Sequence, residues 1–294
     1  MYPGAGVSKI CGLFGLSRQS YYSYIARVVK KEFKTTLVLE MARRVREVHP
    51  KMGCRKIYEL IKPELAQLGV KMGRDKLFDV FSDNQLLVLK RKRQTVTTNS
   101  YHHFRKYKNQ IRGFVSYKPN QLWVSDITYV RKDKEFQYLF LITDAYSHKV
   151  IGYKIGKSLE TKHAESCLKM ALTSTPETEG IIHHSDRGIQ YCSHKYVKLL
   201  QDNEMRISMT ENGNPLDNSI AERMNGILKE EYIKPLMKRH DLPMEELIDQ
   251  SIYRYNYLRP HLSCDMMTPE KAHRKEGILK KRWKNYYKLE TQIN

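Results

Sequence analysis

No apolar run in the 294 residues approaches the roughly 18 to 20 needed to cross a bilayer, so a membrane-spanning protein is not expected. The opening stretch, MYPGAGVSKICGLFGLSRQS, lacks a charged leader, an unbroken apolar segment and a small-residue cleavage site. That pattern argues against secretion and for a cytoplasmic protein. Cysteine is scarce: Cys11, Cys54, Cys167, Cys192 and Cys264 are odd in number and scattered, with no C-x-x-C pair. A disulfide framework and a zinc finger are therefore not expected, and the thiols read as reduced, ordinary residues. His102-His103 and His183-His184 do not supply a zinc site either, because adjacent residues on a strand point to opposite faces. Leucine-zipper heptads are also missing.

Acidic residues are scarce in one part of the chain. Residues 1–120 hold 25 Lys and Arg against 8 Asp and Glu, a net of +17; residues 121–294 hold 27 against 24, a net of +3. Most of the overall +20 is thus concentrated in the first two-fifths. This is the electrostatic footprint of a polyanion-binding segment joined to a less biased domain. A hydrophobic fraction of 40% with 20 Tyr and 8 Phe supplies enough apolar surface for folded cores.

Residues 7 to 27 read as two short helices about a turn. Gly15 suits the C-cap, Ser17 the next N-cap, and Arg18 and Gln19 open the second helix. The pattern fits a helix-turn-helix with Arg18 and Gln19 at base edges, or a plain helical hairpin. A basic helix over 36–48, a break at HPKMG, and helices in CRKIYELIKPELAQLG and GRDKLFDVFSDNQLL make a second such candidate. Residues 88 to 118 carry many Lys and Arg and no acidic residue. They read as an interdomain linker whose Lys90, Arg91, Lys92, Arg93, Arg105, Lys106 and Lys108 are candidates for DNA phosphate contact.

From residue 120 the pattern changes to strands: QLWVSDITYV, FQYLFLITDAY and KVIGYKIG are β-branched and aromatic runs joined by short turns. A helix (TKHAESCLKMALTST), a strand (GIIHHSD), a second helix (SHKYVKLLQDNE) and a fifth strand (MRISMT) follow. A mixed five-stranded sheet flanked by helices is expected, an α/β fold preceded by a basic all-helical region. The expected divisions are 1–35 and 36–87 (helical), 88–119 (linker), 120–235 (sheet-bearing core) and 236–294 (C-terminal helical extension and basic tail).

Asp126 stands in an otherwise apolar strand, where an ionised carboxylate is unfavourable without compensation. Asp186 follows the strand GIIHH, where turn formation alone would account for it. If the three-strand meander leaves its first strand central, the first and fourth strands become neighbours and the two carboxylates meet at one end of the sheet. In NPLDNSIAERMNGILKEEY, Asp217 and Asn218 suit a helix cap, and Ile220, Met224, Ile227 and Leu228 form the packing stripe. Asn218, Glu222, Asn225 and Lys229 fall in line on the far side of the helix, which leaves Glu222 free to face the same spot. Three converging carboxylates call for divalent cations, and all-oxygen ligation suits a pair of Mg²⁺ or Mn²⁺ ions acting at phosphorus. Asp144 reads as structural, and Glu230 and Glu231 as solvent charges. Arg187, His184 and Tyr191 either touch substrate or pack the turn.

These motifs resemble a known family. WVSDITYV, HHSDRGIQY and the Glu222 helix, with 59 residues between Asp126 and Asp186 and 35 between Asp186 and Glu222, look like the DDE core of retroviral-integrase-type recombinases. The chain is similar to insertion-sequence transposases of the second-reading-frame type, including their Lys seven residues after the glutamate, YN-x-x-RPH ending and N-terminal helical segments. The resemblance implies a ribonuclease-H-like core with Asp126, Asp186 and Glu222 as metal-binding catalytic triad. It implies cleavage of one DNA strand by water at the element's terminal inverted repeats, then joining of the freed 3′-hydroxyl to target DNA. It also implies a homo-oligomer on double-stranded DNA at the bacterial nucleoid. Lys229 is expected at phosphate, or is a surface lysine. Arg259 and His261 match the family ending without an assigned role.

Two departures stand beside the resemblance. Such elements commonly encode a separate upstream-frame helix-turn-helix and leucine-zipper product, joined to this frame by frameshifting, and no zipper heptads appear in this sequence, so recognition of the terminal repeats is expected to depend on a partner or fused segment. Gly226 occupies the position where retroviral integrases carry a second lysine. Two other readings remain: a ribonuclease-H-like nuclease without joining activity, and a non-enzymatic DNA-binding regulator.

Overall fold

The runs of Val, Ile, Leu and aromatic residues after position 120 form the expected sheet, in a computed structural model that describes residues 6–89, 103–132, 135–211 and 218–283. The chain divides into two compact units, Met1–Val48 with Gly53–Val88 and His49–Met52 with Leu89–Asn294.

The first unit is all helical: α1 (Val7–Leu13), α2 (Arg18–Val48), α3 (Cys54–Gln67) and α4 (Arg74–Asp83). Its core is built from Val38, Met41 and Ala42 of α2, Ile57, Ile61 and Leu65 of α3, and Leu77, Val80 and Phe81 of α4. The separate helices expected over 17–27 and 36–48 are one 31-residue helix. No Gly or Pro interrupts VVKKEFKT between them, so nothing stops the helix from propagating through the expected division at 35/36. Among the described residues, no helix is long and apolar enough to cross a membrane.

The second unit carries β1 (Leu122–Lys132), β2 (Glu135–Asp144), β3 (Val150–Gly156), β4 (Ile182–Ser185) and β5 (Arg206–Met209) in the order β3-β2-β1-β4-β5. β1 is central, antiparallel to β2 and parallel to β4. One face is covered by α5 (Thr161–Thr173), α6 (Ile189–Cys192) and α7 (His194–Asp202) through Trp123, Phe140, Leu168, Tyr191 and Tyr196. Gly152 makes the α5 contact possible: a Cβ there would lie 2.4 Å from the Cys167 carbonyl oxygen. The other face is covered by α8 (Ser219–Ile227), α9 (Lys234–Arg239) and α10 (Met244–Tyr253), with a π-helical turn, Leu228–Ile233, linking α8 to α9.

Part of the expected linker belongs to this unit. Phe104 and Tyr107 pack on the core, Gln110 bonds to the Ser208 hydroxyl and the Ile207 carbonyl, and Arg112 pairs with Glu211. These residues complete the exposed edge of β5. Lys90, Arg91, Lys92 and Arg93 lie outside the described residues.

Candidate active site

The parallel pairing of β1 with β4 sets Leu122 beside Ile182, Trp123 beside His183 and Val124 beside His184. Carried two residues further, the same register sets Asp126 level with Asp186, just past the carboxyl end of β4. Alternation along β1 gives Asp126 the face of Leu122 and Val124, which pack with Ala221 and Ile220 of α8. Asp126 therefore faces the helix that carries Glu222.

Two asparagines fix that helix. Asn218 Nδ2 donates to the Ser125 carbonyl at 2.9 Å, and Asn225 Nδ2 donates to Asp126 Oδ2 at 2.7 Å. Glu222 lies between them on the same helical line, four residues after one and three before the other. The line is thus an interface with β1, with both asparagines buried and Glu222 at the open side. Asn218 stands at the N-cap position but makes no side-chain cap bond; its Nδ2 reaches across to the strand instead. Asp217 lies outside the described residues.

Electrostatics record the convergence. Burial raises the Asp126 carboxyl from 3.8 to about 7, assisted by the charge of Asp186 and, less, by that of Glu222. Hydrogen bonds from the Ile127 N–H and Asn225 oppose the shift. Glu222 is raised by the packing around it. Asp186 also accepts from the Gly188 N–H at 3.0 Å, which fixes the turn that presents it. An all-oxygen set whose central acid resists ionisation fits a hard divalent cation. The amide oxygen Oδ1 of Asn218 and of Asn225 is buried without a hydrogen-bond partner.

The other expected residues separate clearly. Lys229 sits in the π-helical turn, with Nζ 3.1 Å from the Tyr129 carbonyl oxygen and 4.4 Å from that residue's ring centroid. Arg187 adjoins Asp186 in the turn after β4, and Lys106 is exposed on the segment before β1. Arg105 and Lys108 are exposed on that segment. Arg18 and Gln19 are exposed in the other unit. Tyr191 is a core residue among His183 and Tyr196. His184 bonds Ser208 and His183 bonds Ser125 and Tyr196, so the pair serves the two faces of the sheet. Asp144 is fully buried and accepts from Asn120 N–H, Ser147 N–H and the Ser147 hydroxyl, a structural role.

Glu231 corrects the expectation of a solvent charge. It receives a bidentate pair from Arg259, at 2.9 and 3.0 Å, with the guanidinium side chain 1% exposed. Glu230 pairs with Lys234. The Arg259 fork ties the RPH segment to the turn that follows α8, a contact between residues 28 positions apart. Elsewhere, His148, His261 and Cys264 lie close enough to suggest a metal. The two imidazoles are stacked at 4.5 Å and 19°, however, so their in-plane lone pairs do not converge, and His261 Nδ1 already accepts from the Ser263 N–H.

Comparison with known proteins agrees with this architecture. Residues 116–215 match the family described as integrase core domain, and residues 203–269 match a second family of that description. The insertion element IS600 uncharacterized 31 kDa protein of Shigella sonnei is 33% identical over 230 residues, 76% of this chain and 82% of that one. The transposase for insertion sequence element IS629 of the same organism is 28% identical over 235 residues, 78% of each. The fold is also similar to that in the simian T-cell lymphotropic virus intasome in complex with PP2A regulatory subunit B56 gamma. There the TM-score is 0.51 at 18% identity, over 80% of this chain and 79% of that one. The chain belongs to the insertion-sequence transposases built on an integrase core domain.

Proposed function

We propose that Asp126, Asp186 and Glu222 are the catalytic carboxylates of DNA strand cleavage and strand transfer, and that they hold a pair of Mg²⁺ or Mn²⁺ ions. The observation that carries this reading is the pinning of α8 by Asn218 and Asn225, which sets Glu222 against a raised Asp126 beside Asp186. Asp126, Asp186 and Glu222 would hold the ions, whose Lewis acidity would be supplied to an attacking water or 3′-hydroxyl and to the departing oxygen. Asn225 orients the Asp126 carboxylate, and the Gly188 N–H orients that of Asp186. Lys229, Arg187 and Lys106 contact phosphates beside the cut, with Arg105, Lys108 and the run Lys90 to Arg93 extending the basic track. Of the two residues expected at base edges, Gln19, at the start of α2, is the contact of the N-terminal unit, whereas Arg18 falls on the apolar side of that helix. The substrate is double-stranded DNA at the ends of the protein's own element and at a target, held by an oligomer at the nucleoid, with an upstream-frame product as a further partner.

The test is strand transfer on a pre-nicked terminal-repeat DNA with Mg²⁺ or Mn²⁺. Asp126→Asn, Asp186→Asn and Glu222→Gln should each abolish joined products while leaving DNA binding largely intact. Full strand transfer by any one of them would refute the assignment. Cleavage by the unsubstituted protein without any joined product would favour a nuclease.

A further inference from the structure

The N-terminal half of α2 has an apolar face that the first unit, α1 included, covers only in part. All three buried residues of this helix, Val38, Met41 and Ala42, lie in its C-terminal half. Before them, Tyr21, Tyr22, Ile25, Val29 and Phe33 are exposed, from 37% at Tyr21 and 39% at Ile25 to 58% at Val29 and 66% at Phe33; Tyr24, also exposed, lies to one side of this row. At 3.6 residues per turn these side chains share one broad side of the helix, whereas Arg27, Lys30 and Lys34 fall on the opposite side. A partly uncovered apolar face of this width on a folded protein marks a docking surface.

The charges on that face indicate what covers it. One acid, Glu32, lies among the apolar residues, and Arg18 lies on the same line just under four turns earlier. The geometry points to a second copy of this chain, with the two α2 helices antiparallel about a two-fold axis at Ile25. In that register Ile25 meets its own equivalent, Tyr21 meets Val29, and Arg18 meets Glu32 at each end, so the face is self-complementary. The opposite basic side stays outward, and the like charges are not forced together. A helix docking its apolar face on DNA would leave Glu32 facing phosphate, which the dimer avoids. The surface lies in the helical unit and is independent of the carboxylate chemistry.

Sedimentation velocity on the full chain, at moderate salt and nuclease-treated, reads the association. Dimer is expected at concentrations of about 10–50 µM, an affinity range ordinary for small interfaces. Ile25→Asp should leave monomer only, with unchanged helical circular dichroism. Glu32→Arg and Arg18→Glu should each weaken the dimer by about tenfold or more through like-charge contact, and the double exchange should restore it. Under mild oxidation Ile25→Cys should yield a covalent dimer and Lys31→Cys should not. A chain that stays monomeric, a dimer indifferent to Ile25→Asp, or a double exchange that fails to restore association would overturn the proposal. So would loss of DNA binding by Glu32→Arg at unchanged association.

Discussion

Replacing Asp126 with Asn should make the metal-free protein more stable while removing its chemistry. Burial and two neighbouring acids raise this carboxyl from 3.8 to about 7, so the fold opposes its ionisation. The full difference corresponds to a ceiling of ~4 kcal/mol at 1.36 kcal/mol for each unit of pKa. Water on the open side of the site screens part of it, leaving ~2 kcal/mol. The substituted amide should lose little in return, because Asn225 can turn its own amide and present its unpartnered Oδ1 to the new N–H. The sign follows from linkage. The folded value lies above the ordinary one, so stability contributed by the protonated acid is fully present below about pH 4 and lost as pH rises through about 7. The variant's advantage should therefore be absent near pH 4, grow up to pH 7 and stay constant above. For a unit of ~200 residues, ~2 kcal/mol raises Tm by ~4–8 °C. Differential scanning calorimetry in chelator, on both proteins across this range, measures it. A variant less stable than the parent at pH 8, or a difference independent of pH, would refute the reasoning.

Three further outcomes follow from the same contacts. Arg259→Met strands the Glu231 carboxylate in the interior and should destabilise the second unit by ~3–5 kcal/mol, with Glu231→Gln added to it recovering part of the loss in urea denaturation. Asn225→Ala removes the hydrogen bond that orients Asp126 and should weaken divalent-cation affinity by about 10- to 100-fold, read by calorimetric titration. Lys229→Gln should weaken DNA binding evenly across sequences and reduce the slope of log affinity against log salt by about 1.

The sheet was legible because its strands are β-branched and aromatic runs with short turns, and because a three-strand meander followed by helix and strand leaves β1 to pair with β4. That pairing is what brings positions 126 and 186 level. The Glu222 helix was legible from its apolar stripe, but its polar line was harder to interpret. Asn218 and Asn225, seven residues apart, resemble surface residues until the strand opposite them is known. Glu231 departs from expectation for a related reason: its cation, Arg259, lies in another segment, and nothing local to KEEY shows which glutamate that cation takes. The expected linker failed at residues 103–119 because Phe104, Tyr107 and Gln110 acquire partners only when the edge of β5 is in place. The continuity of α2 was obscured by splitting a stretch that contains no breaker.

The central claim is that three carboxylates, from one strand, the turn after another and one helix, form a single metal-binding centre. Titration of Mn²⁺ into the metal-free chain, with free ion followed by electron paramagnetic resonance, tests it most directly. The parent should sequester Mn²⁺, and Asp126→Asn, Asp186→Asn and Glu222→Gln should each release it while remaining folded and bound to DNA. Undiminished Mn²⁺ binding by any of the three would contradict the account.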